Sequence, residues 1–164
     1  MGKEDCIDCC MKRKVICGHP RMTVRDASLL MAENNVGTLP VVDETSVLVG
    51  VTTMRDVIQI FLPDFVPLLS NIRFIKDYGD LGTPSQESIQ RAESLLVADI
   101  MEEPVSVEDN CTLIRALSFM EKHRIRDLPV VKNGKPVGIA SRVDICRAFL
   151  SIWLTTKDDC VDVQ

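Results

Sequence analysis

Aromatic side chains are scarce in this sequence of 164 residues: five Phe, one Tyr and one Trp, 4% of the chain. Any core it forms must be filled by Val, Ile, Leu and Met rather than by large rings. Long apolar runs are missing too. The best stretches, Val57 to Leu69 and Ala148 to Leu154, fall short of the roughly 20 residues a membrane-spanning helix needs. Positive charge is the minority sign, 19 Lys and Arg against 24 Asp and Glu, for a net charge of -5; this speaks against nucleic-acid binding through bulk charge. Lys3, Glu4 and Asp5 are followed by no apolar stretch, so no secretory signal is read and a cytoplasmic location is expected. Catalytic signatures are lacking as well: no P-loop, no nucleophile elbow and no His-Glu zinc motif, and His19 and His123 have no evident partners. An enzyme is not expected.

What is present is ordinary globular composition, 46% hydrophobic and 26% charged, and an internal repeat. Residues 23–42 read TVRDASLLMAENNVGTLPVV and residues 112–131 read TLIRALSFMEKHRIRDLPVV. At constant spacing they share Thr23/Thr112, Ala27/Ala116, Met31/Met120, Leu39/Leu128, Pro40/Pro129, Val41/Val130 and Val42/Val131. After a one-residue slip, Gly50-Val51-Thr52-Thr53-Met54-Arg55-Asp56 falls on Gly138-Ile139-Ala140-Ser141-Arg142-Val143-Asp144. Upstream, Met11 to Val15 falls on Met101 to Val105. The chain divides into an N-terminal tail (1–8), a first repeat (9–61), an inserted segment (62–97), a second repeat (98–150) and a C-terminal helix end and tail (151–164).

Each copy predicts the same elements. Thr23 and Thr112 are placed to cap a helix. Leu113, Ala116, Leu117 and Met120, and likewise Ala27, Leu30 and Met31, form one apolar helix face. Pro40 and Pro129 end helix and open the β-branched runs Val41-Val42 and Val130-Val131. Asn133-Gly134 favours a tight hairpin. A second strand and a second helix follow, the latter with Val143, Cys146, Phe149 or Leu150, and Trp153 at helical spacing. One such unit is too small to hold a good core alone; two packed about a pseudo-two-fold axis solve that. In the insert, Ser85 to Leu96 reads as a short helix. Phe65, Leu68, Leu69, Ile72, Phe74 and Ile75 are many apolar residues for a linker, and read as a core cover, a dimer contact or a lid.

Both copies resemble the cystathionine-β-synthase (CBS) domain. The resemblance rests on an Asp-h-Met-like start, a T-h-x-x-A helix opening, an L-P-V-V strand and Gly-h-h-[Ser/Thr]-x-x-Asp entering the last helix. It implies an α/β (α+β) fold of two β-α-β-β-α repeats, a module that often dimerises, and adenosine-containing ligands (AMP, ADP, ATP or S-adenosylmethionine) bound between the repeats. It implies a homodimer that regulates a partner protein, with an adenosyl nucleotide as regulatory ligand and no cofactor required.

The residues support such a site on their own terms. A carboxylate in the first turn of a helix can accept from two adjacent ribose hydroxyls, and Asp56 and Asp144 sit there. Thr53 and Ser141 lie at the helix mouths, where phosphate is favoured, and Gly50 and Gly138 permit close approach. By the family's rule Asp144 works with Ile16, Gly37 and Thr38, and Asp56 with Ser106 and Arg126. The competing reading is that each Thr or Ser and its Asp form only a capping box. Arg142 or Arg55 supplies charge from the helix turn, or is a solvated cation. Asp127, following Arg126, disfavours a polyphosphate, pointing to a monophosphate or a phosphate-free adenosyl group.

Cysteine, by contrast, is plentiful at seven residues, and in a reducing compartment these are mostly free thiols. Cys6, Cys9, Cys17 and His19, with Cys10, make the one metal-like cluster, suited to zinc; it supports an alternative reading as a metal- or redox-sensing protein. Against it, no second Cys-x-x-Cys exists, and Cys9 and Cys10 align with Asp99 and Ile100, so Cys10 takes an apolar position of the repeat. Cys111 and Cys146 read as core, Cys160 as a tail thiol and His123 as a surface residue at a helix end.

Overall fold

Threonine caps open a matching helix in each repeat; the helices end at the positive-φ residues Asn35 and Arg124, ahead of Pro40 and Pro129, which fall inside the strands that follow. The computed structural model describes residues 6–62 and 85–158. Its elements are α1 (Val24–Glu33), β1 (Thr38–Val42), β2 (Leu48–Thr53), α2 (Met54–Phe61), α3 (Gln86–Ser94), α4 (Val97–Ile100), β3 (Val107–Glu108), α5 (Leu113–His123), β4 (Asp127–Lys132), β5 (Lys135–Ser141) and α6 (Arg142–Asp158). Thr23 Oγ1 accepts from the Asp26 amide at 3.1 Å and Thr112 Oγ1 from the Arg115 amide at 3.4 Å, each satisfying an amide that the helix leaves unpaired. Ala27 and Met31 of α1, and Leu113, Ala116 and Met120 of α5, are buried as the spacing predicts, Leu30 and Leu117 are half-buried, and Val24 joins the buried face of α1. Strand β1 pairs antiparallel with β2 and β4 with β5, with equivalent irregularities after Val41 and after Val130. Asn133 and Gly134 both adopt positive φ, 53° and 76°, as a tight two-residue hairpin requires.

The two units do not close separately. The segment leading into each repeat crosses to the other repeat's sheet. Lys12 exchanges backbone hydrogen bonds with Ile139 of β5 at 2.9 and 3.0 Å, and Glu102 exchanges them with Val51 of β2 at 2.9 and 3.0 Å. Ile7 and Met11 thereby join the core of the second repeat, with Val107, Leu113, Leu128 and Ile145. Val97 and Met101 join that of the first, with Ala27, Met31, Leu39 and Val41. Burying a side chain such as Ile7 or Val97 contributes about 2 kcal/mol, and neither repeat supplies those residues for itself. Gly138 and Gly50 are the seats for this exchange. A Cβ at Gly138 would collide with Met11 Sδ, and one at Gly50 would stand 2.6 Å from Met101 Sδ. The close approach expected at these glycines is thus to methionine.

The repeats also differ. The second opens with β3, parallel to β4, whereas the first has only an isolated parallel bridge between Gly18 and Val41. Helix α3, capped by Ser85 Oγ on the Ser88 amide at 3.1 Å, buries Ala92 and packs on α1 and α2. Helix α6 is turned away from the face expected for it. Ile145 is buried, and Ala148 and Phe149 pack on the core, while Val143 and Trp153 are 64% and 61% exposed. Cys146 is exposed as well, so it is not a core residue. The cause is Asp144, whose inward-facing cap fixes the helix's rotation at its first turn. Cys111 is buried and His123 exposed, as expected. The apolar residues Phe65, Leu68, Leu69, Ile72, Phe74 and Ile75, the tail 1–5 and Cys160 lie outside the described residues.

Candidate ligand site

Both helix-mouth carboxylates are engaged in capping. Asp56 Oδ2 accepts from the Thr53 amide and hydroxyl, each at 2.7 Å. Asp144 Oδ2 accepts from the Ser141 amide at 2.9 Å and hydroxyl at 2.5 Å, and the Asp144 amide returns a bond to Ser141 Oγ at 3.2 Å. In each case the cap uses Oδ2. Among the described residues no donor reaches Oδ1 of either aspartate, so capping occupies half of each carboxylate. Burial pushes the Asp144 carboxyl up, but the Ser141 hydroxyl and amide, then Lys12 and Arg147, outweigh it and hold the group below the ordinary carboxylate range. Lys12 reaches this carboxylate from the other repeat, Nζ to Oδ2 3.7 Å.

The strands carry the mouths to the junction between repeats. Thr38, at the start of β1, lies opposite Thr53, and Asp127, at the start of β4, lies opposite Ser141. Thr38 and Asp127 are equivalent residues of the two copies, and Thr38 Oγ1 donates to Asp127 Oδ2 at 2.8 Å across the junction. Gly37 and Arg126 each lie beside the helix mouth of their own repeat: the Met54 amide donates to Gly37 O at 2.9 Å and the Arg142 amide to Arg126 O at 3.2 Å. The Arg126 side chain is exposed, Ser106 is half-buried beside β3, and half-buried Ile16 packs on the first repeat's core. Arg142 is committed elsewhere. Its guanidinium binds Ile125 O and Met120 O at 3.2 and 3.4 Å and pairs with Glu121 at 2.8 Å, closing the end of α5, where carbonyls lack partners. Arg55 is exposed.

The metal-like cluster is divided between the repeats. Cys6 bridges to Thr112 of the second, while Cys17 and His19 flank Gly18, which bridges to Val41 of the first. Among the described residues no group of three or more His, Cys, Asp or Glu is arranged to hold a metal ion. Burial, then the proximity of Cys9 and Asp144, pushes the Cys10 thiol up to about 11. Burial also raises Cys9 and Cys17. Thiols so shifted are poorer thiolate sources at neutral pH. Lys12 and Asp127 were not among the expected ligand residues; Lys12 is missed by a reading confined to one repeat, because its partner lies in the other. No described helix is long and apolar enough to cross a membrane.

Comparison with known proteins agrees with this geometry. The model of the CBS domain matches residues 5–63 and 97–151. The chain is 33% identical over 124 residues to the uncharacterized protein YlbB of Bacillus subtilis, covering 74% of this chain and 67% of that protein. Its structure resembles that of the CBS-pair protein CBSX2 from Arabidopsis thaliana, with a TM-score of 0.70 and 28% identity over 91% of this chain and 96% of that one. CBSX2 solved in complex with AMP matches at a TM-score of 0.66 and 28% identity, covering 90% and 98%. With one match on each repeat and the same paired architecture in its structural relatives, the chain belongs to the CBS domain family and carries two CBS domains in tandem.

Proposed function

We propose that this protein is a non-catalytic regulatory module that binds an adenosine-containing ligand between its repeats and signals the ligand's presence to a partner protein. The observation that carries the reading is the pair of equivalent aspartates, each capping its helix through one oxygen and leaving the other for a ribose hydroxyl. The AMP complex of CBSX2, 28% identical to this chain, supports it. We assign Asp144 and Ser141, with Thr38, Gly37 and Ile16, to one site, and Asp56 and Thr53, with Ser106 and Arg126, to the other. We assign the exposed apolar strip of α6, which includes Val143, Leu150 and Leu154, to a contact with a second copy of the chain.

Ligand binding stabilises a folded protein by about 2.7 kcal/mol at a hundred times Kd, so AMP is expected to raise the melting temperature by several degrees. Asp144→Ala is expected to lower that increment, measured against its own ligand-free midpoint because the variant also loses its cap. If neither AMP nor any related adenosyl compound moves the wild-type midpoint at millimolar concentration, the reading fails.

A further inference from the structure

The two helix mouths are built alike and charged differently. The first leading segment reads Met11-Lys12-Arg13-Lys14; the equivalent positions of the second read Met101-Glu102-Glu103-Pro104. Because each segment pairs with the other repeat, Lys12 with Ile139 and Glu102 with Val51, the cations arrive beside α6 and the anions beside α2. The result is visible at Asp144, where Lys12 Nζ stands 3.7 Å from Oδ2 on a side chain 67% exposed and free to swing. Arg147 of α6 also favours the ionised carboxylate, and its equivalent on α2 is Gln59. Two neighbouring cations are already paired elsewhere, Arg13 with Asp8 and Arg142 with Glu121, and among the described residues Lys12 is the cation that forms an ion pair with Asp144. The Asp127 carboxylate accepts from the Thr38 hydroxyl at 2.8 Å and keeps its charge, which limits this mouth to a single phosphate and leaves Lys12 beside Asp144 to meet it.

We propose that the two adenosyl sites are inequivalent: the α6 mouth, served by Lys12, accepts a nucleoside 5′-phosphate, and the α2 mouth, faced by Glu102, rejects it. The inference rests on the adenosyl reading above and adds the chemical class each site takes. A ribose anchored on Asp144 carries its 5′-phosphate one methylene from the ring, within the sweep of a lysine that already touches the same carboxylate. At Asp56 the corresponding residue is the carboxylate Glu102, a two-unit change of charge that the one cation assigned to this site, Arg126, does not make up.

Calorimetric titration of the full chain with AMP and with adenosine tests this. Wild type is expected to bind one AMP per chain. Lys12→Gln is expected to reduce the preference for AMP over adenosine by roughly ten-fold, the value of one charge-assisted bond, and Glu102→Lys to raise AMP stoichiometry toward two. Both side chains are exposed and the backbone bonds of their segments are retained, so melting midpoints of the ligand-free variants should stay within about 2–4 °C of wild type, Lys12→Gln losing only its ion pair with Asp144. Two equal AMP sites in wild type, or an AMP preference unmoved by Lys12→Gln, overturns the charge assignment alone. Failure of both AMP and adenosine to bind overturns the adenosyl reading and this inference with it.

Discussion

If the leading segment of the first repeat is a structural part of the second, a methyl group at Gly138 must be felt through Met11. A Cβ there would overlap Met11 Sδ and lie 2.8 Å from its Cγ. Met11 is 8% exposed and packs in the second repeat's core, so it must rotate within a filled space or leave it. Overpacking of this kind costs about 2 kcal/mol, and expelling the side chain costs about as much in lost burial. Met11→Ala alone should cost about 2–3 kcal/mol, the lower part of the range for buried Met because the residue sits at the core's edge. Combined, the two changes should cost about 1–2 kcal/mol less than their sum, since the new methyl occupies part of the space that methionine vacates. Urea unfolding of wild type, both single variants and the double variant measures this coupling. Additivity to within about 0.5 kcal/mol, or a Gly138→Ala cost below that size, would refute the crossing of the leading segments. The Gly50 and Met101 pair provides an independent repeat of the cycle, with Glu102 O, 3.3 Å from the added methyl, as a further constraint.

Two other expectations follow from single side chains. Thr52 is fully buried in β2 and its hydroxyl has no hydrogen-bond partner among the described residues, while the second repeat has Ala140 in its place. Thr52→Val keeps the shape, removes the orphan and should raise stability by about 1 kcal/mol, a rise of roughly 2–4 °C in melting temperature for a chain of this size; a fall would show that the hydroxyl is bonded. The depressed carboxyl of Asp144 makes the unfolded chain the tighter proton binder in acid. Its stabilising contribution is therefore complete above about pH 4 and is lost as pH falls through the lower folded value. Asp144→Asn should flatten this part of the acid limb of a stability–pH curve, and parallel curves for the two proteins would contradict the assignment.

Much of the fold could be read from local chemistry. Thr23, Thr112, Pro40, Pro129 and Asn133-Gly134 each act on the backbone within a few residues, so their effects are visible without tertiary knowledge. The apolar faces of α1 and α5 were legible for the same reason, as was the capping alternative at Asp56 and Asp144. The rotation of α6 was not. Its apolar stripe, Val143, Cys146, Phe149 or Leu150, and Trp153, suggests one buried face, but the bonds from Ser141 to Asp144 fix the first turn and bury Ile145 instead, and of the stripe only Phe149 packs on the core. Periodicity measures where apolar residues lie on a helix, and a cap decides which way the helix is turned. The role of Gly50 and Gly138 was half legible: the need for a close approach was evident, but its object depended on the path of a segment from the other repeat.

That crossing has a consequence for how specificity can vary in such a fold. Each mouth is composite, with a helix and its carboxylate from one repeat and a leading segment from the other. The segment is held by backbone bonds at Lys12 or Glu102 and by the packing of Met11 or Met101, none of which depends on the charge of residue 12 or 102. The side chains at these two positions are exposed, so their sign can change with little effect on either core. A charge change in the leader of one repeat therefore acts on the site of the other, and leaves intact the cap that its own repeat supplies. Two copies with matching cores and caps can in this way carry opposite preferences for an anion, and Lys12 lies nearly a whole chain away from the aspartate it serves.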